Sequence, residues 1–224
     1  MTKKLWQASL NQKKNSNLFK FENYISKKFN KKFNNDFQKI LDWSIKNSSE
    51  FWSSFWDFTK INGKKNSKNS KKIKKSKVFY KNLFLPGSTL NFANNLLAKN
   101  DKKKVATFIS ENGFREERSW LNLNQNTNKL VQFLKNKKIK QKDRVAAYMP
   151  NTIETVEAFI STTAIGAIWS SCSPDFGVKG VIERFSQINP KILFITDQYF
   201  YNGKQINIID RLPEILKAIP SIKN

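Results

Sequence analysis

Two short tracts carry the side chains best suited to chemistry. The first, Ser170-Ser171-Cys172-Ser173-Pro174-Asp175-Phe176-Gly177, leaves an apolar run and enters a helical one that opens on Val178, Lys179 and Gly180. Free N–H groups at a helix start attract anions. Asp175 is placed to satisfy those same groups as an N-cap, and spacing alone favours the cap. The second tract is Asp197-Gln198-Tyr199-Phe200-Tyr201-Asn202-Gly203-Lys204. Its tyrosines could stack on a base while Lys204 meets a phosphate, or it could be an ordinary exposed turn with Asn-Gly at its tip. Composition leaves the two readings open.

What is absent narrows the chemistry further. Cys172 is the one cysteine and there is no histidine, which removes intramolecular disulfides, His-based acid–base catalysis and Cys/His zinc sites. Without a histidine partner, Cys172 is expected to be a buried thiol and not a nucleophile. Glycine occurs at 63, 87, 113, 166, 177, 180 and 203, so neither G-x-G-x-x-G nor G-x-x-x-x-G-K-[ST] is present. A phosphate loop needs clustered glycines so that successive N–H groups can point inward unobstructed. No catalytic residue and no metal ligand is assigned to this chain.

The elements around these tracts alternate. The pattern predicts a helix from Asn124 to about Asn136, a strand Arg144 to Met149, a helix Thr152 to Ile165 and a strand Ala167 to Cys172. A helix Val178 to Ile188, a strand Lys191 to Thr196 and a last helix after Asn207 follow. Such alternation builds a parallel sheet with flanking helices, and ligands collect beyond the carboxyl ends of its strands. The loops expected to matter are therefore 150–152, 173–177 and 197–204. Upstream, Lys104 to Ile109 and Arg115 to Trp120 flank Asn112-Gly113 as one antiparallel ribbon. Leu90 to Ala98 reads as a short helix. Earlier still, bulky groups at Phe37, Leu41 and Ile45 and at Phe51, Phe55 and Phe58 predict two amphipathic helices. Asp36 and Ser48 are their N-caps, Gly63 their stop, and Trp43, Trp52 and Trp56 packing residues.

Charge is lopsided. The 224 residues carry 41 Lys+Arg against 17 Asp+Glu, a formal net charge of +24, and residues 1–112 hold 25 of the basic side chains against 7 acidic ones. Five are arginine (Arg115, Arg118, Arg144, Arg184, Arg211) and the rest lysine. Nucleic-acid readers lean on arginine's bidentate fork. The densest run, Lys64 to Lys77, lacks aromatics on which bases could stack and reads as a solvated loop. Compositional drift explains the excess better than a polyanion site, although a basic nucleic-acid-binding protein and a non-catalytic scaffold stay as alternatives. The apolar run Val156 to Trp169 is broken by Glu157 and Thr162 and falls short of the roughly 20 residues that cross a bilayer. Cytoplasmic residence with no membrane partner is expected, and oligomeric state is left open.

Residues 144–204, with WSSCSPDFG at Trp169 to Gly177, resemble the N-terminal region of the acetoacetyl-CoA synthetases, a branch of the adenylate-forming acyl-CoA ligases. LW at Leu5-Trp6, LDWSI at Leu41 to Ile45, FWSSFWDF at Phe51 to Phe58 and FLPGSTLNFANNLL at Phe84 to Leu97 fall in the family's order. The resemblance implies an α/β fold. Residues 1–100 form a helical extension with the Lys-rich loop 64–77, and residues 101–224 part of the large AMP-binding-type domain. It implies that the complete protein joins acetoacetate to CoA through an acyl adenylate, using ATP and Mg²⁺, with small molecules as its partners. The family's Ser/Thr/Gly-rich phosphate loop and catalytic lysine fall beyond these residues, which implies an N-terminal fragment inactive alone. On the CoA side, an Arg-x-Gly-Arg stretch of related enzymes falls on Tyr201, Asn202, Gly203 and Lys204, of which the glycine matches. Asp175 stands where those enzymes have a glycine beside the same ligand. Strands covering Lys191 to Thr196 are expected elsewhere, leaving apolar surface there.

Overall fold

The computed structural model describes residues 5–66, 68, 73, 74 and 76–224. The chain divides into two units, Met1–Leu90 and Asn91–Asn224.

The first unit opens on four helices where the sequence reading expected two: α1 (Leu10–Asn15), α2 (Asn17–Phe29), α3 (Phe37–Lys46) and α4 (Ser48–Phe58). The first two are announced by caps more than by an apolar stripe. Ser9 and Gln12 form a reciprocal capping box, and Ser16 accepts from the Phe19 N–H. Asp36 caps α3 as expected, accepting from the N–H groups of Gln38 and Lys39. Ser48 does not cap α4; it is the first helical residue, and the Asn47 side chain before it donates back to the Trp43 carbonyl and makes no capping bond. Nor does Gly63 stop that helix. Lys60 takes the left-handed turn (φ 53°) and Ile61 N–H returns to the Trp56 carbonyl, a Schellman closure. Phe21, Ile25, Phe33, Ile40 and Trp43 make the core, with Phe21 edge-on to Phe51 at 5.7 Å. Trp43 and Trp56 are buried, whereas Trp52 is 41% exposed.

Two small ribbons complete this unit. β1 (Gly63–Lys64) pairs with β4 (Thr89–Leu90), and β2 (Ile73–Lys74) pairs with β3 (Leu83–Phe84). The expected solvated loop Lys64 to Lys77 lies partly outside the described residues. Its described part is more structured than expected: Lys64 and Ile73 are in strands, and Lys65 bonds Asp57 at 2.6 Å.

The second unit begins with α5 (Phe92–Leu96), shorter than expected because Leu90 belongs to β4. β5 (Lys104–Ile109) and β6 (Arg115–Ser119) form the expected antiparallel ribbon. α6 (Trp120–Asn136) starts directly after it. Trp120, read as strand, is the first helical residue because Ser119 caps the helix from the Asn122 N–H. Then come β7 (Arg144–Tyr148), α7 (Ile153–Ala164), β8 (Ile168–Cys172), α8 (Val178–Ser186) and β9 (Ile192–Ile195). β10 (Gln198–Tyr201), β11 (Lys204–Asn207) and α9 (Leu212–Ala218) follow. β8, β7 and β9 form a parallel sheet in that order, so β7 is central and the strand order reverses beside it. Helices cover both its faces, which is why Val145, Ala146, Ala147 and Tyr148 are all fully buried.

Apolar exposure falls on the other edge from the one expected. Lys223 N–H donates to the Lys191 carbonyl and Leu193 N–H to that of Asn224, so the outer side of β9 is occupied and Ile192 and Leu193 are buried. Ile168 on β8 is the half-exposed residue instead. Arg118 ties the ribbon to α7: it meets Glu116 at 2.5 Å and the buried Glu157 at 3.1 Å, and Asn126 of α6 donates to the same Glu157 oxygen at 2.9 Å.

Candidate functional site

A sheet whose strand order reverses opens a crevice at the carboxyl end of the central strand. Here that end is Met149-Pro150-Asn151, and two clefts flank it. One of about 270 Å³ is lined by Asn151, Cys172, Ser173, Asp175, Tyr199 and Tyr201. The other, about 290 Å³, lies toward the ribbon and includes Phe108, Glu111, Thr152, Thr196 and Phe200. The three loops singled out from the sequence, 150–152, 173–177 and 197–204, therefore do converge. The roomier groove of about 670 Å³ between α2, α3 and α4 is lined by Phe21, Ile40, Phe51 and similar groups and holds no ionisable side chain for acid–base work.

The tract 197–204 is a hairpin, not a loop. Asn202 (φ 50°) and Gly203 (φ 70°) both adopt left-handed backbone, and Tyr201 pairs with Lys204 across the turn. That is the two-residue turn whose twist suits a hairpin, and Asn-Gly is its favoured sequence. The tip is held from outside, because Gly203 N–H donates to Glu111 Oε2 at 3.1 Å. Tyr201 is 56% exposed and reaches the smaller cleft, whereas Asn202 and Lys204 line neither cleft. Lys204 makes no ion pair among the described residues and is free to meet an anion.

Asp175 is not the cap of α8. The helix starts at Val178, its N-cap is Gly177, and no side chain bonds there. Two residues short of that position, Asp175 instead accepts from Ser173 Oγ at 2.7 Å and from the Tyr199 hydroxyl at 2.7 Å. The contact closes the hairpin onto the β8–α8 loop. Donation from Tyr199 and then Ser173 holds the Asp175 carboxyl below its ordinary value. Burial, then the bond to Asp175, pushes the Tyr199 phenol up to about 12. The signs set a window. The lowered carboxyl contributes stability above the unfolded-state value of 3.8 and loses it as pH falls through the folded value; the raised phenol contributes below 10.0 and loses it as pH climbs through about 12. The latch is thus intact throughout the neutral range. Asp175→Asn is expected to return the Tyr199 ring titration toward 10.0, read from its labelled ring carbons; an unmoved midpoint would show the contact to be weak.

Two residues not picked out from the sequence support this rim. Tyr148, fully buried at the end of β7, has its hydroxyl 3.1 Å from the Pro174 carbonyl, and Arg211 Nη1 donates to that hydroxyl and to the carbonyls of Pro174 (3.1 Å) and Phe176 (3.2 Å). The available signal was a tyrosine closing an otherwise apolar buried strand, whose hydroxyl must find partners. Cys172 is buried as expected; burial raises its thiol, and the positive charge of Arg184 only partly opposes this.

The sequence and the fold have counterparts among known proteins. Residues 96–223 match the model of a family described as AMP-binding enzyme. The chain is 35% identical over 190 residues to an acetoacetyl-CoA synthetase of Gallus gallus, covering 84% of this chain and 28% of that protein. It is 34% identical over 228 residues to one of Danio rerio, covering 99% of this chain and 33% of the relative. It therefore spans about a third or less of the curated relatives it matches. Among solved structures, the acetoacetyl-CoA synthetase from Streptomyces lividans superposes with a TM-score of 0.90 at 24% identity, over 99% of this chain and 34% of that one, a likeness of fold. No described helix is long and apolar enough to cross a membrane. With the match extending over more than half of its residues, and with a parallel sheet that opens its crevice at β7, this chain belongs to the AMP-binding enzyme family.

Proposed function

We propose that this chain supplies the coenzyme A side of an ATP-dependent acetoacetate–CoA ligase, which converts acetoacetate, CoA and ATP to acetoacetyl-CoA, AMP and diphosphate. The observation that carries the proposal is the convergence of Asp175, Tyr199 and Tyr201 on one cleft at the carboxyl end of β7. Support comes also from relatives named acetoacetyl-CoA synthetase that align over most of the chain.

In this reading the half-exposed Tyr201 ring offers a face to the adenine, and Lys204 offers its ammonium to a phosphate. Gly203 lets the backbone approach without a Cβ in the way, since nothing lies within 4 Å of where one would stand. Asp175, ionised at neutral pH and held by Tyr199, fixes the cleft's width. Residues 101–224 are the part of the AMP-binding domain that does this, and residues 1–100 its helical extension. ATP and Mg²⁺ serve the adenylation step. Among the described residues no group of three or more Asp, Glu, His or Cys is placed to hold a metal. The proposed setting is the cytoplasm, with small molecules and neither nucleic acid nor membrane as partners.

Equilibrium dialysis of the chain against CoA and against dephospho-CoA tests the site. CoA should be retained about tenfold more tightly, the worth of one charge-assisted phosphate contact, and Lys204→Glu should abolish the difference. Equal retention of both ligands, or none of CoA by a folded chain, would overturn the assignment.

A further inference from the structure

We infer that Arg211, acting with Tyr148, is the positioning residue of this cleft: the pair clamps the Pro174 and Phe176 carbonyls and so holds Asp175 where the Tyr199 hydroxyl meets it. The inference rests on the coenzyme A reading for what the cleft binds, but the clamp itself stands on geometry.

Hydrogen-bond supply and demand match at this point. Tyr148 offers one hydroxyl proton and Arg211 Nη1 offers two, while the acceptors are the Pro174 carbonyl, the Phe176 carbonyl and the Tyr148 oxygen. Pro174 and Phe176 are the immediate neighbours of Asp175, so fixing both carbonyls fixes the residue between them. From above, Arg184 lies over the Phe176 ring at 4.1 Å. Arg211 is in turn delivered by the hairpin. The N–H groups of Ile208 and Ile209 both donate to the Asp197 carbonyl, at 2.7 and 3.1 Å, closing the base of β10 and β11 and starting the turn Ile209–Arg211. Hairpin and β8–α8 loop are thus joined at two points: at the base through Arg211 and at the rim through Tyr199 and Asp175. Without Arg211 the Pro174 and Phe176 carbonyls are left to the single hydroxyl proton of Tyr148, so one of the two must turn to find water.

The charges around Tyr199 make the test directional. Asp175 and Tyr148 raise its titration, whereas Arg211 lowers it. If Arg211 acted only through its charge, its removal would raise the Tyr199 value further. If it positions Asp175, removal lowers the value, because the rim bond is lost. At pH 10.0 the ring should be about one per cent ionised in the unsubstituted chain, two decades below a midpoint of about 12.

In Arg211→Met the ionised fraction should rise several-fold while staying below half, because burial still opposes the phenolate, read from labelled tyrosine ring carbons, with CoA retention down about tenfold and Arg211→Lys in between. Arg211→Lys keeps the positive charge, so charge alone predicts no change, while loss of the guanidinium fork should still raise the ionised fraction; the clamp is thus tested if Arg211→Met does not fold. A folded Arg211→Met chain, or in its place a folded Arg211→Lys chain, in which Tyr199 is no more ionised at pH 10.0 than in the unsubstituted chain would overturn the inference. A Tyr199 response in a chain that retains no CoA would support the clamp and overturn the coenzyme A reading.

Discussion

Replacing Arg118 by methionine should lower the stability of the second unit by about 3–5 kcal/mol, the usual cost of stranding a buried charge. Arg118 is largely buried, and its partner Glu157 has a side-chain exposure of 5%. Burial opposes the guanidinium's charge, but the carboxylates of Glu116 and Glu157 outweigh it and hold Arg118 above its ordinary value. Without Arg118 the only other side-chain donor to the Glu157 carboxylate among the described residues is Asn126, a neutral amide. The ribbon β5–β6 would also lose its tie to α7, and with it the placement of Glu111 beneath the hairpin tip. Urea unfolding of the single variant and of Arg118→Met/Glu157→Leu separates charge from packing: the second should recover much of the loss. A single-variant loss under about 1 kcal/mol would mean that the cluster behaves as an ordinary surface pair.

The chain by itself should give no ATP–pyrophosphate exchange above background, with or without acetoacetate. Adenylation concentrates negative charge between the acid and the triphosphate and needs preorganised donors or cations aimed there. The seven glycines stand apart in sequence, and Gly113 and Gly203 sit at the turns of hairpins. None gathers successive N–H groups into a phosphate cradle. In the proposed reading Lys204 and Tyr201 meet one phosphate and one ring, which would bind the ligand without driving the step. Exchange by these 224 residues would refute this division of labour.

Much of the second unit was legible because period and punctuation agree there. Arg144 to Tyr148 is an unbroken apolar run followed by proline, and Asn112-Gly113 sits between two strand-like segments. Asn202-Gly203 carried the same signal. The sequence still reads as a loop there because Gln198 to Tyr201 lacks a polar–apolar alternation strong enough to announce a strand, even though the turn residues are those a hairpin demands. Asp175 was misplaced as a cap because helix boundaries shift by a residue or two on small differences in backbone angle, and the hydroxyl it serves, Tyr199, is 24 residues away. Arg211 could not be tied to Tyr148 across 63 residues by any local pattern. In the first unit α1 and α2 escaped because lysine and asparagine dilute their apolar faces, leaving Ser9 and Ser16 as the informative residues.

The central claim is that this chain serves an acetoacetate ligase. Its most direct test grafts these residues in place of the corresponding third of the Danio rerio acetoacetyl-CoA synthetase and measures ATP–pyrophosphate exchange. Exchange that depends on acetoacetate, with formation of acetoacetyl-CoA but not exchange falling when Arg211→Met is introduced, is the expected result. A folded graft that exchanges equally well with acetate, or with no acid added, would contradict it.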